Sequence, residues 1–293
     1  MSDPAVNPIV EAPPSPIARR GIVKRVMAGV VFIPLFVLLT RAGGYWFLGF
    51  VDLFIVLGLY EFYRMMSVKG LHPYRGIGIA SGLTLSTYVY LASGTYATAF
   101  LTFVLLAIMA LELTRNDNRR AVYHVSTTVF GVVYVAFLGS HLVLLRELPW
   151  LIDRPYDVGA RFIFLAFAMT WSSDTGAYLV GKTIGKRPLL PRVSRGKTWE
   201  GAWGGVVFAA AAGGISALTF ADFLHPAWGV ALGAVCSAVG LLGDLFESML
   251  KRDAEIKDTS QIIPGHGGVL DRFDSLLFTA PLIYYFLKFV IFQ

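Results

Sequence analysis

Nine apolar stretches, separated by clusters of charged residues, Pro and Gly, are the feature that most restricts how this sequence can fold. An α-helix needs about 20 apolar residues to cross the hydrocarbon core of a bilayer, and the stretches approach or exceed this length. The two-residue alternation of a membrane β-barrel is absent. The sequence therefore predicts an all-α, polytopic transmembrane protein with nine helices, at roughly 22–40, 45–66, 76–93, 95–113, 126–145, 161–181, 200–220, 227–250 and 275–291.

The composition supports a membrane location. Charged residues make up 15% of the 293 residues, against about 25% in typical soluble domains, and the mean hydropathy is +0.63. The single cysteine, Cys236, lies inside an apolar stretch. A single cysteine excludes an intrachain disulfide and a cysteine-based zinc site, so we expect a buried packing residue.

The distribution of Lys and Arg predicts the orientation, because cytoplasmic loops of membrane proteins are enriched in both. With the N-terminus in the cytoplasm, only five of the 25 Lys and Arg residues lie outside: Arg41, Arg146, Arg154, Arg161 and Lys288. The sequence thus predicts nine crossings with a cytoplasmic N-terminus. The same asymmetry explains the net charge of +6, so no nucleic-acid partner is expected.

Three regions follow from this topology. We expect a disordered cytosolic tail at 1–18, N-terminal transmembrane helices at 19–158, and a catalytic transmembrane region at 159–293 with motif loops in the cytoplasm. The first apolar stretch is interpreted as a retained helix, since no convincing cleavage site follows it. Glycines at 201, 204 and 205 predict close packing of helix backbones.

A polar face marks the end of the eighth stretch. Asp244, Glu247, Ser248 and Lys251 are spaced at i, i+3, i+4 and i+7, which places them on one side of a helix. Ionisable groups in an apolar helix must face the protein interior or a polar cavity. The alternative to a functional site is an intrahelical ion pair that holds helices together.

The segment that follows combines Lys257, Asp258 and a Pro-Gly-His-Gly-Gly turn with a short acidic run. Glycines such as Gly267 and Gly268 expose backbone N–H groups, as a phosphate-binding loop requires. His266 is interpreted either as a turn residue or as a phosphate-binding or proton-handling group. Oxygen donors suited to Mg²⁺ and cations suited to phosphate occur together here, namely Asp244, Asp271 and Asp274 with Lys251, Arg252, Lys257 and Arg272. The combination predicts a site for a metal-bound polyphosphate.

A basic segment precedes the seventh stretch. Six cations lie within 182–197, and the segment ends in Gly196-Lys197-Thr198 followed by Trp199 and Glu200. This charge suits a nucleoside triphosphate or a phospholipid headgroup. It is not a Walker A motif, because Pro191 occupies the position of the first glycine. The alternative is a basic loop at the membrane interface, set by topology. Asp174, within the sixth stretch, is expected to face the same cavity.

The pattern S-x-x-K-R-x4-K-D-x7-H-G-G-x-x-D-R-x-D, from Ser248 to Asp274, resembles the signature of the phosphatidate cytidylyltransferases, or CDP-diacylglycerol synthases. The similarity extends upstream to Asp174-Thr175-Gly176-Ala177-Tyr178 and to 197–201. One departure is Arg195 after Ser194, where members often have Pro; it affects the expected local loop conformation.

The resemblance implies transfer of CMP from CTP to phosphatidic acid with Mg²⁺ as cofactor, and it leaves open a second metal ion. Asp244 and Asp271 would be the metal ligands. The predicted catalytic set is Asp244, Asp271, Lys251, His266 and Asp274. The predicted substrate-binding set is Lys197, Thr198, Trp199, Glu200, Ser248, Arg252, Lys257, Asp258, Gly267, Gly268, Arg272 and Asp174.

The expected surroundings are membrane lipids in a bacterial inner membrane, with the active site facing the cytoplasm, and the resemblance suggests a homodimer. Two other functions remain open. A CTP-dependent polyprenol or phytol kinase would transfer the γ-phosphoryl group, would need a base and would release CDP. A cation or proton transporter would use Asp174, Asp244 and Glu247 as a relay.

Overall fold

The computed structural model describes residues 30–93, 95, 97–116, 119–256, 259–260 and 267–293. The predicted tail at 1–18 and three predicted site residues, Lys257, Asp258 and His266, lie outside the described residues. The described part is almost entirely helical, which confirms the all-α prediction.

The helices follow the chain in the predicted order. They are α1 (Val30–Ala42), α2 (Gly44–Val68), α3 (Arg75–Ala92), α4 (Ala97–Glu112), α5 (Ala121–Gly131), α6 (Leu138–Glu147), α7 (Val158–Ile184), α8 (Trp199–Thr219), α9 (Pro226–Asp253) and α10 (Leu270–Phe286). A π-helical segment, Val132–Phe137, joins α5 to α6, and a 3₁₀ turn, Leu148–Leu151, extends α6. A second π-helical segment, Leu287–Ile291, extends α10.

Each predicted apolar stretch overlaps one continuous helical segment within the described residues. Five of these segments are long and apolar enough to cross a membrane: Gly44–Val68, Ala121–Leu151, Trp199–Thr219, Pro226–Asp253 and Leu270–Ile291. Val30–Ala42 and Ala97–Glu112 are apolar but shorter. The chain is therefore an integral membrane protein, and the number of nine crossings stays a prediction.

A two-stranded antiparallel hairpin is the exception to the all-α prediction. Strands β1 (Pro188–Leu190) and β2 (Ser194–Thr198) pair Pro188 with Thr198 and Leu190 with Ser194. The hairpin lies within the basic segment that connects α7 to α8. Its second strand ends where α8 begins, so the position of Lys197 is set by the start of that helix.

Glycines allow α7, α8 and α9 to pack closely, as the sequence predicted. A Cβ added to Gly205 of α8 would lie 3.1 Å from Ser173 Oγ on α7 and 3.1 Å from Ser237 Oγ on α9. These two hydroxyls are hydrogen bonded to each other at 2.7 Å. Close backbone approach therefore brings the polar faces of α7 and α9 together. Cys236 on α9 is 1% exposed, which confirms its packing role.

The N-terminal half packs on α10 through aromatic and aliphatic side chains. The rings of Phe54 on α2 and Phe273 on α10 have centroids 4.4 Å apart. Leu59 and Phe62 of α2 and Leu270 of α10 are fully buried in the same core. This packing turns one face of α2 toward the first turn of α10.

Helix α10 begins earlier than the sequence predicted. The apolar stretch starts at about 275, but the helix begins at Leu270. Asp271 and Asp274, which we expected in the preceding loop, therefore lie in the first two turns of the helix. The physical reason is a buried carboxylate that binds the free N–H groups at this helix start, as described below.

Candidate functional site

Two lysine–carboxylate pairs bring the separate motifs together. Lys197 Nζ of β2 lies 2.6 Å from Asp244 Oδ2 of α9. Lys251 Nζ of α9 lies 2.6 Å from Asp271 Oδ1 of α10 and 3.5 Å from Glu247 Oε2. The basic segment, the polar face of α9 and the start of α10 thus form one cluster.

A cavity of about 240 Å³ lies beside the first pair. Its walls come from α7, β2, α8 and α9. Asp174, Lys197 and Asp244 supply charge, and Ser173 and Ser237 supply hydroxyls. The structure therefore places Asp174 in the same cavity as the basic segment, although 23 positions separate Asp174 from Lys197 in the sequence.

The cluster holds more carboxyl groups than lysines. Asp174, Asp244 and Asp274 lie close enough for their charges to interact. Asp274 is buried, and its Oδ1 accepts a hydrogen bond from the Ser275 N–H at 2.6 Å. Glu247 is fully buried. The carboxyl groups of Asp174, Asp244, Glu247, Asp271 and Asp274 therefore lie around two lysines, and three of the five pair with a lysine. An added cation would interact favourably with the ionised carboxylates.

Asp271 binds the turn before α10 as well as Lys251. Its Oδ2 accepts hydrogen bonds from the Gly268 N–H at 2.8 Å and from Thr259, at 3.0 Å from Oγ1 and 3.3 Å from N. Gly267 has φ +78°, a conformation that favours glycine. The Gly268 N–H, which the sequence predicted as a phosphate donor, thus binds a carboxylate of the chain itself.

Glu61 of α2 is the site residue that the sequence reasoning missed. This buried carboxylate accepts hydrogen bonds from the Val269 N–H at 3.0 Å and the Leu270 N–H at 2.8 Å. Ser260 Oγ also donates to it, and Thr259 Oγ1 lies 3.3 Å from its Oε2. A carboxylate at a helix N-terminus satisfies free N–H groups and interacts favourably with the helix dipole. The signal was available, because Glu61 lies inside an apolar stretch, where an ionisable residue marks a functional site.

The remaining predicted residues border the cluster. Thr198 Oγ1 accepts from the Gly201 N–H at 3.1 Å and caps α8. Glu200 Oε2 accepts from the N–H groups of Lys186 and Arg187 at 3.1 and 3.2 Å. Both side chains therefore fix the hairpin to α8, and their contact with substrate stays a prediction. Trp199 is 52% exposed.

Three more predicted residues lie at the ends of α9 and α10. Arg252 Nε donates to Val193 O at 3.4 Å, which joins α9 to the hairpin turn. Ser248 is half-buried on α9, and Arg272 is exposed on α10. Their positions border the cluster, and their roles stay predictions.

Comparison with known proteins identifies the family. The family model described as "Cytidylyltransferase family" matches residues 23–290. A phosphatidate cytidylyltransferase of Synechocystis sp. is 36% identical over 290 residues, covering 90% of this chain and 95% of that protein. The Bacillus subtilis phosphatidate cytidylyltransferase is 32% identical over 271 residues, covering 90% of this chain and 97% of that protein. The chain belongs to the cytidylyltransferase family.

Membership in the cytidylyltransferase family confirms the resemblance drawn from the motifs and extends it. The motifs cover about the last 120 residues, whereas the family match includes the N-terminal half and Glu61. A third relative, a Staphylococcus aureus phosphatidate cytidylyltransferase, is 32% identical over 260 residues, covering 88% of this chain and 94% of that protein. The contact between α2 and α10 therefore lies wholly within the matched region.

The next question is whether the cluster of lysines and carboxylates fits Mg²⁺. Within the part of the chain that the structure describes, no three or more His, Cys, Asp or Glu side chains form a group that could hold a metal ion by themselves. Asp244 and Asp271 instead pair with different lysines. Mg²⁺ usually binds through one or two carboxylates plus substrate phosphates and water. The excess of carboxylate oxygens fits a metal that arrives with its polyphosphate.

Proposed function

We propose that this protein transfers CMP from CTP to phosphatidic acid, forming CDP-diacylglycerol and pyrophosphate. The observation that carries the proposal is the cluster itself, in which Lys197–Asp244 and Lys251–Asp271 bring three motif segments together beside a cavity. Relatives named phosphatidate cytidylyltransferase cover nearly the whole chain and support the same reaction.

The reaction mainly requires neutralisation of phosphate charge and alignment of the two substrates. Phosphatidic acid is a phosphate monoester and already an anionic nucleophile near neutral pH, so no strong general base is required. Its oxygen attacks the α-phosphorus of CTP, and the bond from that phosphorus to the bridging oxygen breaks as pyrophosphate leaves with the electron pair. Lys197 and Lys251 are held in place by carboxylates and can neutralise phosphate charge in the transition state.

The predicted cofactor is Mg²⁺, which Asp244 and Asp271 would hold; the number of metal ions is left open. When bound, the metal supplies positive charge to the phosphate oxygens of CTP. The chain's own residues supply the positioning. Asp271 is fixed by Lys251, Thr259 and Gly268, so the position of its carboxylate is set before substrate binds.

We infer nine crossings, a cytoplasmic N-terminus and a cytoplasmic active site in a bacterial inner membrane. The end of α9, the hairpin and the start of α10 lie together, as this topology requires. CTP would enter from water, and phosphatidic acid would reach the basic hairpin with its acyl chains still in the bilayer. The homodimer suggested by the resemblance stays a prediction.

The test is CTP turnover by protein purified in detergent with phosphatidic acid and Mg²⁺, with CDP-diacylglycerol and pyrophosphate both measured. We expect Asp271→Asn to lower the rate by about 10²–10⁴. Asp253→Asn is the matched control, because Asp253 lies on the same helix end as Lys251 but pairs with Lys69. The control variant is expected to keep the wild-type rate.

Product analysis also separates the other two functions. Release of CDP without pyrophosphate would show phosphoryl transfer, as in a lipid-alcohol kinase. Ion flux in proteoliposomes without CTP would show transport. Either result, from well-folded protein, would replace the proposed reaction.

A further inference from the structure

A second cavity, of about 610 Å³, lies near the other end of α10. Lys288 lines it, whereas Asp271 belongs to the catalytic cluster at the start of the same continuous helix, Leu270–Ile291. Seventeen residues of helix span about 26 Å. The hydrocarbon core of a bilayer is about 30 Å thick. The second cavity therefore opens near the membrane face opposite to the catalytic cluster.

The greater part of the cavity wall is apolar. Side chains of α4 and of the Ala121–Leu151 helix form this part, including Leu101, Val104, Leu105, Val129 and Val133. Leu105 is 39% exposed and Val133 is 36% exposed, so the wall continues onto the outer surface of the helices. A groove of this kind between transmembrane helices suits an acyl chain.

A cation lies at the polar end of the cavity. Lys288 Nζ is 3.3 Å from the Tyr284 hydroxyl and 5.4 Å from the centre of the Phe289 ring. Within the described residues, Lys288 forms no ion pair with a carboxylate. An ammonium group near a membrane face without a carboxylate partner attracts the phosphate of a lipid headgroup.

A buried imidazole lies next to the same tyrosine. His141 is 2% exposed and lines the cavity, with ring centres 5.8 Å from Tyr284 and 5.5 Å from Tyr285. Its Nδ1 is 2.9 Å from Phe137 O. A carbonyl oxygen only accepts, so Nδ1 carries the hydrogen, and Nε2 is left as an acceptor without a partner.

We propose that this cavity binds an anionic phospholipid with a hydroxyl-bearing headgroup, in the leaflet opposite to the catalytic cluster. The phosphodiester pairs with Lys288, a headgroup hydroxyl donates to His141 Nε2, and an acyl chain lies against α4 and the Ala121–Leu151 helix. Phosphatidylglycerol has this combination of groups. The site is separate from the proposed cytidylyl transfer and does not depend on that reaction.

Native mass spectrometry of the delipidated full chain tests the proposal, with phosphatidylglycerol, phosphatidylcholine, diacylglycerol and inorganic phosphate as separate probes. We expect one phosphatidylglycerol to bind more tightly than the other three. One lysine near the membrane surface contributes about 1 kcal/mol to anionic-lipid binding, so Lys288→Gln should weaken it about fivefold. Arg154→Gln is the matched control, because Arg154 is an exposed cation outside the cavity. This variant should bind phosphatidylglycerol with the wild-type affinity.

A second variant leaves the charge in place. Thr102 lines the cavity from an exposed position on α4, so Thr102→Trp should fill it and lower phosphatidylglycerol occupancy without disturbing the core. Two results would overturn the proposal, because both would show unspecific annular lipid. One is binding of phosphatidylcholine as tight as that of phosphatidylglycerol, and the other is wild-type binding of phosphatidylglycerol by both Lys288→Gln and Thr102→Trp. Binding of inorganic phosphate alone with equal affinity would overturn the lipid part. A Leu105→Cys disulfide between two copies in native membranes, with no bound phosphatidylglycerol, would assign the cavity to a second copy.

Discussion

Glu61 connects the N-terminal half of the chain to the cluster of lysines and carboxylates through one side chain. Its hydrogen bond to the Leu270 N–H joins positions 209 residues apart. Thr259 Oγ1 lies within hydrogen-bond distance of both Glu61 and Asp271. Glu61 therefore acts as a positioning residue, because it fixes the helix start and the turn that determine where Asp271 points.

Substitution of Glu61 should affect the chemical step more than nucleotide binding. Glu61→Gln keeps the shape but brings an NH₂ group against N–H donors, so we expect α10 to shift at its start. A displacement of about 1 Å can cost about 10² in rate, so kcat should fall roughly tenfold to hundredfold with little change in KM for CTP. Steady-state kinetics measures both values.

The matched control for Glu61 is another buried carboxylate. Glu112 Oε1 lies 3.0 Å from His124 Nδ1, away from α10. Glu112→Gln should lower the free energy of unfolding by about 1–3 kcal/mol while leaving kcat of the folded fraction near wild type. Equal loss of kcat in both variants would show that Glu61 has only a structural role.

Single residues also show how far sequence could predict the site. Asp244, Glu247 and Lys251 share a helix face by spacing alone, so their proximity could be predicted. The pairing of Lys197 with Asp244 depends on how α7, α8 and α9 pack, and no local pattern encodes that register. Glu61 was missed for the same reason, since its partners lie in a different part of the chain.

At the scale of elements, the lengths of the apolar stretches predicted the positions of the helices correctly but their ends less accurately. Helix α10 begins at Leu270 because Glu61 and Asp271 satisfy the N–H groups that a helix start leaves free. Hydropathy alone placed the start after the charged residues. The hairpin was missed because its short strands are stabilised by caps to α8 rather than by an alternating apolar pattern.

Thr198 links the hairpin to α8, and its substitution tests that link. Thr198→Ala removes the acceptor of the Gly201 N–H, and loss of an N-cap costs about 1 kcal/mol. Because Lys197 precedes this cap, the KM for CTP should also rise. Thr198→Ser keeps the oxygen and should restore both the unfolding midpoint and KM. A serine variant as impaired as the alanine variant would show that the methyl group matters instead.

At the scale of the molecule, the crossing of α7 decides whether the predicted topology is right. This helix has 27 residues, or about 40 Å, enough to span a bilayer. It is not among the five segments that are both long and apolar enough to cross a membrane. The polar run at 170–175, which includes Asp174, explains this, because it lowers the hydropathy of the stretch between Arg161 and Lys182. Asp174 lines the polar cavity and Lys182 lies in the last turn, so neither needs to face lipid in mid-membrane.

Site-directed cysteine labelling tests that crossing directly. Cys236 is buried and is the only cysteine in the sequence, so a Cys236→Ser background should give no signal. Arg154 lies before α7, and Arg192 lies in the turn between β1 and β2. In intact cells, a membrane-impermeant maleimide should label Arg154→Cys, and it should label Arg192→Cys only after the membrane is opened. Only α7 separates the two positions, so labelling of both from outside would show that α7 does not cross. The cluster of lysines and carboxylates would then lie on the outer face, away from CTP.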